Sequence, residues 1–378
     1  MKNKIPFLDV KTQNRSLIKE SLPAIKKILL SGDFILGEEV RAFEKEFADY
    51  CGAKYAVGVN SGTDALFLAL LSLGIGRGDE VICPVYTYIA SALSISYTGA
   101  VPVFVDIDER TFNIDPDKIE AKITPRTKAI MAVHLYGLAA QMPKIKKIAK
   151  KHKLKIIEDA AQAHGAAIRQ PNGQWQQVGV FGDVGCFSFY PTKNLGGCGD
   201  GGLLTTNSRT IFEKLLMLRD QGRKGSVRYL HYIKGYNSRL DSIQAALLRI
   251  KLRVLEQQND SRRKTAEVYA SVLSSAKGVT MPLIPDDCRH VFHVYTLLVP
   301  QRDKLCDWLK QNNIGAGIVY HRALHQQQAY RELGHKKGSF PVAEKVSANV
   351  LSLPMFAGIP EKTAKYIAKK IVEFTGKK

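Results

Sequence analysis

The chain has 378 residues, 45% of them hydrophobic and 24% charged, enough for a large globular domain with a smaller one beside it. No apolar run reaches membrane-spanning length and the start, Met1-Lys2-Asn3-Lys4-Ile5-Pro6, lacks the apolar core of a signal peptide, so a cytoplasmic protein with no membrane partner is expected. The formal charge of +20 lies in scattered runs, Lys144 to Lys155 and Arg249 to Lys264 among them, that read as solvated helix faces; without a zinc-finger, basic-zipper or aromatic RNA-binding signature, it points to a phosphorylated small molecule rather than to nucleic acid.

In chain order, Leu17 to Leu30 and Glu38 to Tyr50 read as helices, separated by Ser31-Gly32-Asp33 and closed by Cys51-Gly52. Residues 1–36 are expected to form an N-terminal arm. From Tyr55 the texture changes to short apolar strands alternating with helices, the pattern of an α/β three-layer sandwich on a mainly parallel sheet. The strand candidates are Tyr55 to Val59, Glu80 to Cys83, Val101 to Val105, Lys128 to Val133, Lys155 to Glu158, Gly185 to Phe189 and Gly202 to Thr206. One long helical pattern, Ser242 to Ala276, leads away from this sheet. Beyond it Val291 to Val299, a helix at Asp303 to Asn312, Ile318 to Tyr320 and a helix from Glu361 to Phe374 suggest a small α+β region. The expected boundaries are 37–250 for the large domain and 251–378 for the small one. The cysteines, at positions 51, 83, 186, 198, 288 and 306, show no metal-ligand spacing and no secreted framework, so free thiols are expected.

The turns that follow the strands carry the chemistry. Asn60-Ser61-Gly62-Thr63-Asp64 opens the apolar helix Ala65 to Leu73, gathering amides and hydroxyls at a helix N-terminus. Alone it is an ordinary Ser or Thr cap; with an anionic ligand it is a phosphate site. Pro84-Val85-Tyr86-Thr87-Tyr88 puts aromatic rings at the same carboxyl edge, where open α/β sheets bind ligands, with core packing the better reading for Tyr86. Ile156-Ile157-Glu158-Asp159-Ala160-Ala161-Gln162-Ala163-His164-Gly165 is a buried strand ending in a carboxylate followed by small residues. Burying Asp159 is costly without a cationic partner, such as a pyridinium N–H, and the sequence after it is not that of a capped amphipathic helix.

Next comes Gly185-Cys186-Phe187-Ser188-Phe189-Tyr190-Pro191-Thr192-Lys193-Asn194-Leu195, followed by glycines at 196, 197, 199, 201 and 202. The alternation suits a strand that Pro191 ends, and the glycines let main chain crowd Lys193. A pocket walled by Phe187, Phe189 and Tyr190 would desolvate that amine, lower its pKa and make it a Schiff-base nucleophile. Taken alone, as one of 55 lysines and arginines, Lys193 is better read as a surface lysine in a turn. Gly197-Cys198-Gly199-Asp200-Gly201-Gly202 spells a dinucleotide-binding loop, but a strand rather than a helix follows it. His321 and His325 have i, i+4 spacing but no third ligand, so no metal site is expected.

Together the four segments resemble the DegT/DnrJ/EryC1/StrS sugar aminotransferases, a branch of the fold type I pyridoxal-phosphate enzymes with an aspartate-aminotransferase-like fold. The resemblance extends from Pro6-Phe7-Leu8-Asp9 and Gly37-Glu38-Glu39-Val40 to Asn237-Ser238-Arg239-Leu240-Asp241 and the C-terminal region. It implies that Lys193 carries pyridoxal 5'-phosphate as a Schiff base, alternating with the pyridoxamine 5'-phosphate form, and that Asp159 pairs with the pyridinium nitrogen. It further implies Gln162 near the phenolic oxygen, Gly62, Thr63 and Ser188 as phosphate donors, and Tyr88 stacked on the ring. Asn237 is implied to reach the phosphate of the neighbouring subunit's cofactor, in a homodimer. Tyr190, Tyr320, His321 and His325 are the candidate sugar contacts.

The reaction so implied is transfer of an amino group from L-glutamate to a dTDP-linked keto sugar, in two half-reactions with ping-pong kinetics. Thr87-Tyr88-Ile89-Ala90-Ser91 and Ser188 to Leu195 look closer to the family's enzymes that aminate C3' of a dTDP-3-keto-6-deoxyhexose than to those acting at C4'. Family dehydrases carry histidine where Lys193 stands, and a non-catalytic regulator of this fold is expected to have lost Lys193 or Asp159. The run Val319-Tyr320-His321-Arg322-Ala323-Leu324-His325-Gln326-Gln327 departs from the Tyr-Pro pair of several relatives.

Overall fold

The computed structural model describes residues 4–15, 17–225 and 229–376. Its first elements are helix α1 (Val10–Arg15) and helix α2 (Ile18–Ser31), which starts one residue later than expected and leaves Leu17 just outside it. Ile5 exchanges backbone hydrogen bonds with Asn313 and Gly315, which fastens the arm to the C-terminal region. Helix α3 (Glu38–Cys51) follows and turns Val40, Phe43 and Phe47 inward.

The main body alternates strand and helix: β1 (Tyr55–Val59), α4 (Gly62–Ser72), β2 (Glu80–Pro84), α5 (Ala90–Tyr97), β3 (Val101–Val105), β4 (Thr127–Val133), α6 (Met142–His152) and β5 (Lys155–Asp159). A hairpin of β6 (Ala167–Arg169) and β7 (Trp175–Gln177) precedes β8 (Val184–Ser188), β9 (Gly202–Thr206) and α7 (Arg209–Arg219). Seven of these strands form one sheet in the order β1-β9-β8-β5-β4-β2-β3. Only β9 runs antiparallel to its neighbours, so the sheet is mixed but mainly parallel.

The two-residue period of a strand sends alternate side chains to opposite faces. Val57, Val81, Met131, Ile157, Cys186 and Leu204 meet α4, α5 and α7 on one face; Ala56, Ile82, Ile130, Ile156, Phe187 and Leu203 meet α3, α6 and α8 (Ser242–Leu252) on the other. Helix α4 buries Leu66, Leu68 and Leu70 at the sheet, each worth about 1.5–3 kcal/mol of transfer free energy. The architecture is the expected three-layer α/β sandwich.

The single long helix expected over 242–276 is two. Helix α8 stops at Leu252 and α9 (Leu255–Leu273) restarts after Arg253 and Val254, a break that no proline or glycine marks. Beyond it β10 (Cys288–Arg289) joins the β6–β7 hairpin, and β11 (Tyr295–Leu298) is shorter than the strand expected over 291–299, because Phe292 takes a positive φ of 44°. Helices α10 (Arg302–Gln311), α11 (Pro341–Asn349) and α12 (Glu361–Gly376) and strand β12 (Val350–Leu353), antiparallel to β11, complete the smaller α+β part. Ile318 to Tyr320 is not a strand: Gly317 alone bridges Ser352, and Tyr320 sits in a turn.

Candidate active site

The carboxyl ends of β1, β2, β4, β5 and β8 come to one edge of the sheet, where a cavity of about 470 Å³ opens. Gly62, Thr63, Tyr88, Asp159, Gln162, Ser188, Tyr190, Lys193 and Tyr320 all line it, as do Phe7 and Leu8 of the arm. The segments that follow the strands thus converge as expected, because those strands belong to one parallel set, while Tyr320 and the arm reach the cavity from outside the sheet.

At its floor the first turn of α4 is built for an anion. Ser61 caps the helix by accepting the Asp64 N–H at 3.1 Å, and its carbonyl takes the Ala65 N–H, which leaves the Gly62 and Thr63 amides without helical acceptors at the cavity wall. A Cβ on Gly62 would lie 2.5 Å from Ser188 Cβ, and one on Gly202 would lie 2.3 Å from the Ser61 carbonyl oxygen. Both glycines are therefore required by close approach of main chain, and Ser188 is pressed against the helix end. Amides, a hydroxyl and the positive helix terminus form a cradle that fits a phosphate.

Asp159 ends β5, paired in register with Val133 and Cys186. It is buried, and burial pushes its carboxyl above the usual range, against which Ser91, the Ala161 N–H, Lys193 and His134 act. Ser91 Oγ donates to Oδ2 at 2.7 Å and the Ala161 N–H to Oδ1 at 3.2 Å. Lys193 faces it from the turn after β8, where its own N–H bonds the Tyr190 carbonyl at 2.9 Å. Desolvation brings the Lys193 ammonium down to about 8, with Asp159 opposing. That desolvation does not come from Phe187 and Phe189, the expected walls. Their rings pack edge-on against Phe43 and Phe47 in the core, because odd-numbered residues of this strand face α3. Only Tyr190 of the three lines the cavity.

Gln162 is oriented without ambiguity. Its Oε1 accepts the Tyr136 N–H at 2.7 Å and its Nε2 donates to Tyr320 Oη at 2.8 Å, leaving the other amide hydrogen for the cavity. The Tyr88 ring, 55% exposed, lies 5.9 Å from that of Tyr320. Tyr86 is a core residue, its hydroxyl 3.0 Å from that of Tyr136 and accepting the Tyr320 N–H at 2.9 Å.

Three expected residues lie elsewhere. Asn237 is exposed and outside the cavity of its own chain, its backbone bridged to Asp220. His321 and His325 do not line the cavity with Tyr320. They border a separate hollow of about 560 Å³ with His335 and Glu344, where His325 Nε2 bonds Glu344 Oε1 at 3.0 Å. The i, i+4 spacing brings them to one hollow without a helix: Leu324–Gln326 is a single 3-10 turn.

Other residues emerge only from the structure. His293 lines the cavity, with Nδ1 3.3 Å from Asn194 Oδ1, and burial, Lys193 and Arg262 hold its imidazole well below the usual pKa. Because Asn194 Nδ2 is spent on Asn259 Oδ1 and the Val291 carbonyl, His293 Nδ1 must be the donor. Ser91 lies within Thr87-Tyr88-Ile89-Ala90-Ser91 but carries no signal of its own there, and neither does His293.

Comparison with known proteins agrees with this geometry. Residues 15–372 match the model of the DegT/DnrJ/EryC1/StrS aminotransferase family. The chain is 48% identical over 351 residues to dTDP-3-amino-3,6-dideoxy-alpha-D-galactopyranose transaminase of Aneurinibacillus thermoaerophilus, covering 93% of this chain and 94% of that one. It is 46% identical over 367 residues to UDP-N-acetyl-3-dehydro-alpha-D-glucosamine 3-aminotransferase of Acidithiobacillus ferrooxidans, covering 97% of each. The crystal structure of S. venezuelae DesV in complex with a ketimine intermediate superposes over the full length of both chains with a TM-score of 0.96 at 43% identity. A phosphate cradle, a buried carboxylate and a desolvated lysine in one cavity, on a chain that matches over almost its whole length, lead to one conclusion: this protein belongs to the DegT/DnrJ/EryC1/StrS aminotransferase family.

Proposed function

We propose that the protein is a pyridoxal-phosphate-dependent aminotransferase that moves an amino group from L-glutamate to C3' of a dTDP-linked 3-keto-6-deoxyhexose. The observation that carries the chemistry is the pair Asp159 and Lys193 facing one cavity beside the α4 cradle. The cradle suits the cofactor's phosphate, and the small residue Ala161 at the cavity wall leaves room for its ring. When bound, pyridoxal phosphate supplies an electron sink that lets a proton leave the carbon bearing the amino nitrogen.

The chain's own residues then divide the work. Asp159 would hold a proton on the ring nitrogen, Gln162 would offer its remaining amide hydrogen to the phenolic oxygen, and Tyr88 would cover the ring. Lys193, free amine in part near neutral pH, would hold the cofactor and would be the group to carry a proton at Nζ. The C3' choice is supported by the two relatives named above, both described as acting at position 3. The active unit is a homodimer in which Asn237 of the partner subunit reaches the phosphate, a reading supported by the exposed Leu29, Leu30, Phe34 and Ile35 of the arm.

The test is to incubate the loaded enzyme and glutamate separately with 3-keto and 4-keto dTDP-6-deoxy sugars, with a UDP-linked 3-keto sugar as a third arm, and to identify products by mass and NMR. Amination of the 3-keto dTDP compound is expected. Amination of the 4-keto compound alone would move the protein to the C4' group, and none with any arm would overturn the enzymatic reading.

A further inference from the structure

Asp159 accepts two described hydrogen bonds, and the shorter comes from a residue that does not line the cavity. Ser91 is fully buried at the start of α5, and Thr87, nearly as buried, stands in the bend before that helix at the cavity wall. Their hydroxyl oxygens are 3.1 Å apart. A carboxylate has no hydrogen to give, so Ser91 spends its single hydroxyl hydrogen on Asp159 Oδ2. Ser91 can then only accept from Thr87. The pair is one-way: Thr87 to Ser91 to Asp159.

Such a chain polarises each bond in turn and is strongest where water is excluded. The other titratable groups around Asp159 are Lys193 across the cavity, His134 at the end of β4, the Cys186 thiol on β8 and the Tyr320 phenol. Among the described residues none of them hydrogen-bonds the carboxylate: His134 bonds Glu158, Cys186 faces the Ala65 carbonyl and Tyr320 accepts from Gln162. The anion's one strong donor is the relay.

We propose that Thr87 and Ser91 are positioning residues, a one-way hydroxyl relay that keeps Asp159 ionised and aimed, so that a proton shared with the cofactor's ring nitrogen stays on that nitrogen. This rests on the role assigned to Asp159 under the proposed function. Without the relay the proton moves from the nitrogen to a carboxylate oxygen, no bond but N–H and O–H being exchanged, and the ring loses its pull on electrons.

The experiment uses enzyme loaded with pyridoxal phosphate carrying ¹⁵N in the ring, in wild type and in Ser91→Ala, Thr87→Val, Ser91→Thr and Asp159→Asn. The ring-nitrogen shift at neutral pH reads where the proton sits, and ¹³C titration of Asp159 in the cofactor-free chain reads the carboxylate directly. In Ser91→Ala the nitrogen signal is expected to move toward the unprotonated position, by about tenfold or more in the proton-sharing equilibrium, and the Asp159 midpoint to rise by about one pH unit. Thr87→Val, which keeps the volume, moves both in the same direction by less, and Ser91→Thr returns them toward wild type. A role limited to packing would leave both signals in place. Ser91→Ala with an unmoved nitrogen and an unmoved Asp159 overturns the relay; if that variant does not fold, the same result in Thr87→Val does so. Should Asp159→Asn also leave the nitrogen unmoved, the role of Asp159 falls, and the relay with it.

Discussion

Replacing Gly62 by alanine sets two effects against each other at the first turn of α4. Alanine is the better helix former, worth up to about 1 kcal/mol over glycine in a helix interior and less at the first turn. The new methyl, however, would stand 2.5 Å from Ser188 Cβ, 3.0 Å from Ser188 Oγ and 3.1 Å from Ser188 Cα, and the last of these is main chain that β8 holds in the sheet. Overpacking of this kind costs about 1–3 kcal/mol, so the clash is expected to win, with a net loss of about 1–2 kcal/mol. It would also push the hydroxyl and amides of the cradle apart, weakening the cofactor's phosphate grip. Thermal or urea unfolding of the cofactor-free chain gives the first quantity, and equilibrium dialysis with pyridoxamine phosphate the second. Gly76→Ala is the control, since a methyl there finds only the Thr98 carbonyl, at 3.6 Å. Pairing Gly62→Ala with Ser188→Gly removes the two side-chain contacts and is expected to recover part of the stability, a coupling that a double-mutant cycle measures. Gly62→Ala at wild-type stability and affinity would refute the close-approach account of this glycine.

Asp159→Asn should fold yet lose most of the rate, since one charge-assisted hydrogen bond of about 1.5–3 kcal/mol already amounts to roughly 10- to 150-fold; a wild-type rate with cofactor bound would refute it. Lys193→Ala should bind cofactor without covalent retention and lose transamination, which denaturation followed by mass measurement checks. Burial lowers Lys193 to about 8, so the amine is mostly protonated below that pH and mostly free above it; uptake of pyridoxal phosphate by the cofactor-free chain should rise with pH through that value and then level, whereas a midpoint at the ordinary lysine value would argue against a desolvated amine. Mixing Lys193→Ala with Asn237→Ala chains should restore activity that neither has alone, because one site of each mixed dimer keeps both groups; no recovery would count against shared sites.

What was legible in the sequence followed from local rules. The strand set from Tyr55 to Thr206 announced itself through apolar runs of strand length, and Asp159 and Lys193 stood out because a carboxylate or an amine at the end of such a run needs a reason to be there. The misses are where tertiary context decides. Nothing in Arg253-Val254 signals a helix break, as neither residue is a helix breaker by type. Phe292 bends out of the strand pattern through a positive φ that its apolar neighbours do not betray. Helix α5 hides because it is only eight residues long and carries no charged residue, so Ser91 passes for core filler. His321 and His325 were judged by spacing, but the chain there is a turn and carries them to another hollow.

The reversed strand β9 bears on how the lysine can move. Gly202 pairs with Ser188, and the Phe189 N–H meets the Gly201 carbonyl at 2.8 Å, so the loop bearing Lys193 leaves and re-enters the sheet at neighbouring positions. Inside it the Gly197 N–H returns to the Phe189 carbonyl at 2.7 Å and Lys251 Nζ clamps the Gly196 carbonyl at 2.6 Å. A loop fastened at both ends and across its middle is a fixed mount rather than a hinge. The stroke available to the amine is the reach of its own four-carbon stem. The two roles proposed for Lys193 therefore need no rearrangement of the loop's backbone.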